Sequence, residues 1–292
     1  MSRIAYVNGR YVPHRNAMVH IEDRGYQYAD AVYEVCEVRD GALVDMTRHL
    51  DRLDRSLGEL RIRPPMSRAA LVAVLHRTVA RNRVRDGFVY LQVSRGVARR
   101  DHFLPDPGLS PSIVVTARSV DRAAAERTAR KGIAVVTVPD NRWGRPDIKT
   151  VQLLANTLAK QRAKEAGASE AWFVDAGGLV TEGGSTNAWI VTKDGRLVTR
   201  QADSSILRGV TRTGVMDLVK RRNLAVEERA FTVEEALGAA EAFVTSASNP
   251  VTPVVRIDGH VIGDGSPGPV ALALRAAFHE VTELSRPVNH GG

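Results

Sequence analysis

The chain has 292 residues, of which 43% are hydrophobic and 25% are charged, and its 41 basic and 33 acidic residues give a net charge of +8. This length allows one large domain or two modest ones, and the composition is typical of globular proteins. No run of about 18 apolar residues occurs, which excludes a transmembrane helix, and a single cysteine, Cys36, excludes an internal disulfide.

Cysteine usage and the first residues favour a cytoplasmic protein. A lone cysteine fits a reducing compartment. The N-terminus indicates a hairpin around Asn8 and Gly9 rather than a signal peptide. The basic residues are spread along the chain without the aromatic residues of a single-strand binding platform, so we expect neither a nucleic-acid nor a membrane partner. The excess charge either attracts small anionic substrates or is an indifferent arginine-rich surface.

The first 120 residues predict a mixture of strands and helices. After the hairpin, residues 32–38 alternate as a strand does. Two helices follow, one with Thr47 as its N-cap and leucines at helical spacing, the other beginning at the Ser67 cap. Two β-branched strands, "GFVYLQVSRG" and "PSIVVTARSV", then flank the polar, proline-rich loop "VARRDHFLPDPGLSP".

The second half begins after a segment of small and charged residues, 121–131, which predicts a connector between domains. A strand, "IAVVTVPD", leads to Lys149 and a helix that ends at Gly167. Later strands and helices include a glycine-led helix start at Gly209 and a capping box opened by Thr232. Strands and helices mix without strict alternation or an internal repeat, so the sequence predicts an α+β fold of two domains.

Lys149 lies immediately before a run of apolar residues at helical spacing. These residues are Val151, Leu153, Leu154, Leu158 and Ala159. A helix start carries partial positive charge and favours Asp or Glu over an ammonium group. Lys149 is therefore either a surface residue tolerated at little cost or an amine with a function.

Two polar motifs in the second half suggest ligand contacts. In "VTEGGSTN", Glu182 precedes two glycines and the hydroxyls of Ser185 and Thr186, and such a carboxylate could hold a protonated ring nitrogen. In "LRGVTRTG", Gly209 frees the backbone at a helix start where Thr211 adds a hydroxyl, which indicates an anion site. A solvated surface turn and an ordinary helix start are the alternatives.

Two further motifs are weaker by themselves. In "TSAS", Ser246 and Ser248 could add hydroxyls to the same anion site. In "RRDHF", Arg100 and His102 could bind a carboxylate, unless this is only a solvated charged loop. Neither a P-loop nor a G-x-S-x-G motif occurs, and the histidines lack metal-ligand spacing, so we expect no metal.

Together these motifs resemble the fold-type IV pyridoxal-phosphate enzymes, the family of the D-amino-acid and branched-chain aminotransferases. The resemblance runs from "EDRGYQYADAVYEV" through "HLDRL", "IKTVQLLANTLAKQ" and "VTEGGSTN" to "LRGVTR" and "FVTSAS". It implies a smaller N-terminal α/β domain, 1–120, and a larger, pseudo-barrel-like cofactor-binding domain, 132–284, followed by a loose tail, 285–292. Arg100 and His102 after "SRG" are most similar to the D-amino-acid aminotransferases.

The resemblance assigns pyridoxal 5'-phosphate as the cofactor and gives roles to individual residues. Lys149 would form a Schiff base with the cofactor and move the proton between substrate Cα and cofactor C4′. Glu182 would pair with the pyridinium nitrogen. The other cofactor-binding residues that the resemblance implies are Arg52, Ser185, Thr186, Leu207, Gly209, Val210, Thr211, Ser246 and Ala247.

The substrate contacts implied by the resemblance involve a second subunit. Tyr33 would lie near the cofactor's phenolic oxygen and the substrate carboxylate. Arg100 and His102 would capture that carboxylate from the neighbouring subunit, which makes a homodimer the functional unit.

Three residues depart from the family pattern. Gly184 stands where many relatives carry a hydroxyl, and Ala247 stands where a threonine often contacts the phosphate. Glu37 puts a negative charge where some D-amino-acid enzymes have a basic residue. The first two departures affect the expected contacts with the cofactor, and the third could change the preferred substrate side chain.

The predicted reaction is transamination of a D-amino acid, D-alanine first, with 2-oxoglutarate to give a 2-oxo acid and D-glutamate. An L-branched-chain aminotransferase is the nearest alternative. An (R)-amine transaminase and an aminodeoxychorismate lyase are further alternatives on the same fold.

Overall fold

The computed structural model of the chain describes residues 3–287. Within them the strands are β1 (Ile4–Val7), β2 (Arg10–Pro13), β3 (Ala31–Arg39), β4 (Ala42–Val44), β5 (Gly87–Ser94), β6 (Ser112–Ser119), β7 (Ile133–Pro139), β8 (Glu170–Val174), β9 (Val180–Gly183), β10 (Asn187–Val191), β11 (Leu197–Thr199), β12 (Val226–Glu228), β13 (Glu241–Ser246), β14 (Asn249–Ile257), β15 (His260–Val261) and β16 (Leu284–Ser285). The α-helices are α1 (Arg24–Tyr28), α2 (Met46–Glu59), α3 (Arg68–Arg81), α4 (Arg122–Lys131), α5 (Leu154–Glu165), α6 (Val210–Arg221), α7 (Val233–Leu237) and α8 (Pro269–Ala277). Short 3-10 helices lie at His14–Asn16 and Phe278–Glu280. None of the helices between residues 3 and 287 is long and apolar enough to span a bilayer.

The chain divides into two compact units. Unit 1 comprises the described residues of Met1–Asp121, Ile148–Gln152 and Glu283–Gly292, and unit 2 comprises Arg122–Asp147 and Leu153–Thr282. The segment Ile148–Gln152, which contains Lys149, therefore belongs to unit 1, whereas the chain before and after it belongs to unit 2.

Unit 1 is built on a seven-stranded sheet with the strand order β16-β4-β3-β5-β6-β1-β2. All of its pairings are antiparallel. Side chains alternate between the two faces of a strand, and along β3 those at even positions are buried while those at odd positions from Tyr33 onward are half-buried. Helix α2 packs on β3 and buries Leu50, Leu53 and Leu57, which lie on one helical face.

Unit 2 is built on a nine-stranded mixed sheet with the order β12-β11-β10-β13-β14-β7-β8-β9, and β15 pairs with β14. After Asn187 the interior strand β10 is apolar, because Ala188 and Ile190 enter one core and Trp189 and Val191 enter another. On one face Trp172 packs edge-on against Phe231, and on the other Trp189 stacks on Phe243 with centroids 5.4 Å apart. The Gly183 N–H donates to the Thr186 carbonyl at 2.7 Å, so the end strand β9 curls back toward β10.

The predicted α+β fold is confirmed, and several local signals are confirmed with it. The Ser67 side chain caps α3 by accepting from the Ala70 N–H at 3.3 Å. Thr232 and Glu235 form the complete capping box of α7. The predicted Thr47 cap is wrong, because α2 begins at Met46 and Asp45 is its N-cap residue. Thr47 lies in the first turn and donates to Glu283 Oε1 at 3.0 Å.

Both predicted linking segments contain regular structure. Most of the predicted connector, 121–131, forms helix α4 at the start of unit 2. The predicted tail, 285–292, begins within β16, which pairs antiparallel with β4. The rest of that tail, from residue 288 onward, lies outside the described residues.

Helix α5 differs from its prediction in both its start and its buried face. It begins at Leu154, so Lys149 is five residues upstream and not at the helix terminus. Leu154 and Leu158 are 72% and 58% exposed, whereas Ala159 and Ala163 are buried against β8. Small alanines allow the helix to approach the sheet closely, and the leucines consequently line the outer face.

Candidate active site

Lys149 lies in an extended segment that pairs with β3. Its carbonyl accepts from the Tyr33 N–H at 3.0 Å, and its own N–H donates to Ser56 Oγ at 3.3 Å. The next residue, Thr150, forms an antiparallel bridge with Val32. Three contacts on the main chain thus fix the position from which the lysine side chain extends.

The Lys149 side chain ends over an aromatic ring. Its Nζ lies 4.1 Å from the centroid of the Tyr33 ring, which in turn lies 5.7 Å from the Tyr90 ring. Tyr90 donates its hydroxyl to Gln92 Oε1 at 2.7 Å. Burial, with a smaller effect of Tyr33, raises the pKa of Tyr90 to about 12, so Tyr90 remains a neutral phenol. This arrangement places one primary amine on a polar aromatic surface.

Glu37 lies on the same face of β3 as Tyr33. The two residues are four positions apart on one strand, and both are half-buried. Glu37 is paired in register with Phe88, and Tyr33 with Gln92, on β5. The negative charge of Glu37 therefore belongs to the surface that carries the Tyr33 ring.

Arg52 lies on the opposite face of β3, where it is paired with a glutamate. Its Nε and Nη2 donate to the two carboxylate oxygens of Glu34, each at 2.7 Å. His49 Nδ1 contacts Glu34 Oε2 at 2.7 Å. Burial disfavours the charge of Glu34, but the Arg52 guanidinium and both hydrogen-bonding partners outweigh it and hold the Glu34 pKa at about 2.

The loop with Arg100 and His102 is anchored to Tyr28. The Arg100 guanidinium lies 5.0 Å from the Tyr28 ring centroid, and the His102 ring lies edge-on at 5.6 Å. Arg24 stacks on the same ring at 4.6 Å and donates to the Asp101 carbonyl at 2.7 Å. The structure therefore brings Arg100 and His102 together around one aromatic side chain.

Arg24 is itself fixed by a buried ion-pair cluster. Asp30 accepts from Arg24 Nε at 2.8 Å and from Arg95 at 2.7 and 2.9 Å. Burial opposes the charge of Asp30, but its hydrogen bonds to Arg95 and Arg24 lower its pKa. The exposed loop thus rests on a rigid base.

In unit 2, Glu182 is a buried carboxylate at the end of β9, with 5% exposure. Its oxygens accept hydrogen bonds from the Arg142 guanidinium, from Asn187 Nδ2 at 3.0 Å and from the Leu207 N–H at 3.1 and 3.2 Å. Since all these partners donate, Glu182 is held as an acceptor.

Arg142 joins Glu182 to a second carboxylate. It donates to Asp140 through Nε at 2.9 Å and Nη2 at 2.7 Å, and its guanidinium lies 4.6 Å from the Phe173 ring centroid. Burial opposes both charges, yet their mutual hydrogen bonds raise the pKa of Arg142 and lower that of Asp140. The sequence analysis missed Arg142, because a single arginine after a strand carries no motif.

The segment predicted to bind an anion forms the start of α6. Gly209 is the N-cap residue of α6, and within residues 3–287 no side chain caps this helix. A Cβ atom on Gly209 would lie 2.1 Å from Asn187 Oδ1, so only glycine fits there. Val210 and Thr211, the first helical residues, are buried. First-turn amides, which have no partner within a helix, and the helix dipole together favour an anion at such a position.

The turn between β13 and β14 lies near that helix start. Asn187, which contacts Gly209, begins β10 beside Thr245 of β13. The next residue, Ser246, has its hydroxyl 3.1 Å from that of Ser248, and Ala247 lies between them. The two hydroxyls predicted to join the anion site are thus adjacent.

The three residues after Gly183 have different surroundings. The Ser185 hydroxyl donates to Glu170 Oε2 at 3.0 Å, and its contact with the cofactor stays a prediction. Gly184 also packs against Glu170, because a Cβ atom placed on this glycine would lie 3.0 Å from Glu170 Oε1. Thr186 Oγ1 is buried and, among the described residues, has no hydrogen-bond partner. It would contact a Cβ atom on Gly183 at 2.1 Å.

Comparison with known proteins establishes the family. The model of the family described as amino-transferase class IV matches residues 31–257. The chain belongs to the class IV aminotransferases. It is therefore an aminotransferase, and the matched range includes Tyr33, Lys149, Glu182 and the start of α6.

The class IV assignment agrees with individual relatives. The chain is 38% identical to a D-alanine aminotransferase from Staphylococcus haemolyticus over 95% of its own length and 97% of the relative's. It is 42% identical to a D-alanine aminotransferase from Bacillus licheniformis, with 93% and 94% covered.

Solved structures of class IV enzymes have the same fold. A branched-chain amino acid aminotransferase from Escherichia coli matches with a TM-score of 0.90 at 23% identity, covering 100% of this chain and 98% of that one. A branched-chain amino acid aminotransferase from T.th., solved with pyridoxamine 5'-phosphate, matches with a TM-score of 0.86 at 28% identity over 96% and 94%.

Proposed function

We propose that the chain is a pyridoxal 5'-phosphate-dependent D-amino-acid aminotransferase with D-alanine as its preferred donor. It would transfer the amino group to 2-oxoglutarate, giving pyruvate and D-glutamate, in the cytoplasm. The observation that carries this proposal is the identity of 37–42% with D-alanine aminotransferases over at least 93% of the chain.

The groups present fit this cofactor chemically. An aldehyde needs a primary amine, a protonated ring nitrogen needs an anionic acceptor, and a phosphate needs N–H donors and hydroxyls. Lys149, Glu182 and the start of α6 are groups of these three kinds. The Thr186 hydroxyl, buried without a partner among the described residues, is a further polar group suited to a ligand. When bound, the cofactor supplies an electron sink for the bond broken at the substrate Cα.

Lys149 would be the catalytic residue. Its amine would hold the cofactor through the aldehyde and would move the proton at the substrate Cα. The fixed main chain at Lys149 and the contact of Nζ with Tyr33 restrict where that amine can be. Tyr33 would face the cofactor's phenolic oxygen and the substrate carboxylate.

Glu182 would hold the proton on the ring nitrogen by remaining a carboxylate. Its donors Arg142, Asn187 and the Leu207 N–H support that state, since each favours negative charge. The Leu207 side chain would pack on the ring.

The phosphate would be bound by the first amides of α6, at Val210 and Thr211, with Gly209 giving access. Arg52, Ser246 and the turn at Ala247 would complete this set. Ser248, whose hydroxyl lies 3.1 Å from that of Ser246, offers a hydroxyl beside the alanine.

The substrate carboxylate would be captured by Arg100 and His102 of a second subunit. Around this loop, unit 1 exposes an apolar patch, which we call the loop patch. Its residues are Met18, Val19, Ile21, Tyr26, Val97, Phe103 and Leu104. An exposed patch of this kind marks an interaction surface, which supports a homodimer.

The decisive experiment compares donors. With 2-oxoglutarate as acceptor, we expect kcat/KM for D-alanine to exceed that for L-leucine by at least about tenfold, and the glutamate formed to be the D enantiomer on chiral chromatography. Faster turnover of L-leucine with L-glutamate as product would favour the branched-chain alternative, to which the 28% identical T.th. enzyme points.

A second measurement addresses the amine. Lys149→Ala should abolish both transamination and the visible absorbance that the wild type gains with pyridoxal 5'-phosphate. Lys164→Ala, at an exposed position on α5, is the matched control and should retain both. Wild-type protein that gains no visible absorbance would rule out the cofactor.

A further inference from the structure

Glu34 is a buried carboxylate with no role in the reaction described so far. It is 1% exposed, and its side chain lies on the face of β3 that packs against α2. A buried charge is tolerated only when it is paired and fully hydrogen-bonded. Its three partner bonds, two from Arg52 and one from His49, meet that condition.

The geometry of the pair fixes the plane of the Arg52 guanidinium. Two parallel N–H···O bonds of equal length, 2.7 Å, join Arg52 Nε and Nη2 to the two oxygens of Glu34. Such a bidentate pair determines orientation as well as contact. It uses two of the five N–H donors of the guanidinium, so the directions of the other three are set as well.

His49 fixes the carboxylate from the other side. Glu34 is ionised and can only accept, so His49 Nδ1 carries the hydrogen in their 2.7 Å contact. His49 and Arg52 are three residues apart on α2 and therefore share a helical face. The orientations of the Glu34 carboxylate and the Arg52 guanidinium are thus both fixed.

We propose that Glu34 is a positioning residue for the cofactor phosphate, acting by holding the Arg52 guanidinium in one orientation. The proposal rests on the proposed function, which gives Arg52 its phosphate. Because the charges of Glu34 and Arg52 cancel, net charge contributes little to anion affinity here, and the direction of the arginine N–H groups decides it. Glu34 is also next to Tyr33, so adjacent residues of β3 would position the groups that contact the two ends of the cofactor.

The test compares the affinity of the apoprotein for pyridoxal 5'-phosphate and for pyridoxal, which lacks the phosphate. Glu34→Gln preserves shape but presents an amide N–H₂ group to a donor. We expect the preference for the phosphorylated compound, the ratio of the two Kd values, to fall at least about tenfold. The Kd for pyridoxal should remain within about twofold, since pyridoxal has no group for Arg52 to bind.

Asp51→Asn is the matched control, because it removes an exposed carboxylate from α2 that pairs with Arg68, at 2.7 Å, and not with Arg52. It should leave the preference unchanged. Equal weakening of both compounds by Glu34→Gln would mean a merely structural role and would overturn the proposal, as would an unchanged preference.

A double-mutant cycle tests whether Glu34 acts through Arg52. In an Arg52→Ala background, Glu34→Gln should not reduce the preference further, and a further reduction would overturn the proposal. If Glu34→Gln does not fold, Glu34→Asp, which keeps the charge but shortens the reach, should give an intermediate preference, and an unchanged one would overturn the proposal.

Failure of the proposed function looks different. Wild-type protein that binds neither compound overturns the cofactor assignment and this proposal with it. Wild-type protein that prefers the phosphorylated compound, beside a Glu34→Gln variant with the same preference, overturns only the role of Glu34.

Discussion

Glu34 and Glu182 are both buried carboxylates held by an arginine, but the two arginines differ in their other partners. Arg52 and His49 both bind Glu34, whereas Arg142 binds both Glu182 and Asp140. Glu34 accepts hydrogen bonds from two side chains, whereas Arg142 donates to two carboxylates. We therefore interpret the first group as an orienting device for its arginine and the second as a support for its glutamate.

The ionisation of Glu34 should appear in the acid stability of the protein. The Glu34 pKa falls from 4.5 to about 2 on folding, so the ionised pair contributes roughly 3 kcal/mol. Because the folded-state pKa is the lower one, this contribution is complete above about pH 4.5 and disappears as the pH falls through about 2.

Urea unfolding of wild type and Glu34→Gln across this range measures the effect. We expect the difference between their midpoints to be constant from pH 7 to about pH 5 and to shrink below that. A difference that stays constant, or grows, as the pH falls toward about 2 would contradict the ionised pair.

At the scale of elements, the start of α6 depends on one glycine. Gly209 adopts φ −61°, which any residue tolerates, so steric space and not backbone conformation requires it. Asn187 occupies that space and donates to both Glu182 and the Leu207 carbonyl, at 3.0 Å each. The helix start and the carboxylate are thereby held by the same amide.

Gly209→Ala should consequently disturb both groups. We expect a thermal midpoint lower by several degrees and weaker binding of pyridoxal 5'-phosphate, since Asn187 must move. Gly58→Ala in α2 is the control, because its Cβ would meet nothing within 4 Å, and it should stabilise by up to about 1 kcal/mol. Equal behaviour of the two variants would show that Asn187 yields without consequence.

The sequence predicted elements best where local chemistry defines them. The Ser67 cap and the capping box at Thr232 act through neighbours in the chain, so their motifs were sufficient. Helix α5 was misjudged because periodicity shows that Leu154 and Leu158 share a face but not what covers it.

The candidate site was predictable only where a family motif exists. Lys149, Glu182 and the Arg100 loop lie in such motifs, and their roles remain predictions. Arg142 and Glu34 carry no local signal, since each is defined by partners distant in sequence: Arg142 contacts a residue 40 positions away, and Glu34 one 18 positions away.

At the scale of the whole molecule, the loop patch on unit 1 joins two segments of chain. Asp23 and Val97 form an antiparallel bridge, and the Arg24 N–H donates to the Gly96 carbonyl at 2.9 Å. The apolar residues near Ile21 and those near Phe103 therefore form one surface, directly beside the proposed carboxylate trap. Covering this surface in a dimer would also order the trap.

Phe103→Asp should therefore dissociate the dimer. Phe103 is 83% exposed, and a charge there would oppose burial at an interface. Light scattering after size exclusion should show a dimer for wild type and a monomer for the variant, with a raised KM for D-alanine. Val261→Asp, at a 45% exposed position in unit 2, is the control and should remain dimeric. A monomeric wild type would refute the proposed assembly.

Unit 1 is formed by three segments that are far apart in the chain, which has a consequence for synthesis on the ribosome. Its sheet needs β16 at the edge, and Lys149 arrives with Ile148–Gln152, long after residue 121. At about 5–20 residues per second, translation from residue 152 to residue 284 takes roughly ten seconds. During that interval the edge of β4 lacks its last partner. A nascent chain stalled in this window would contain Lys149 but expose the unpaired edge of β4.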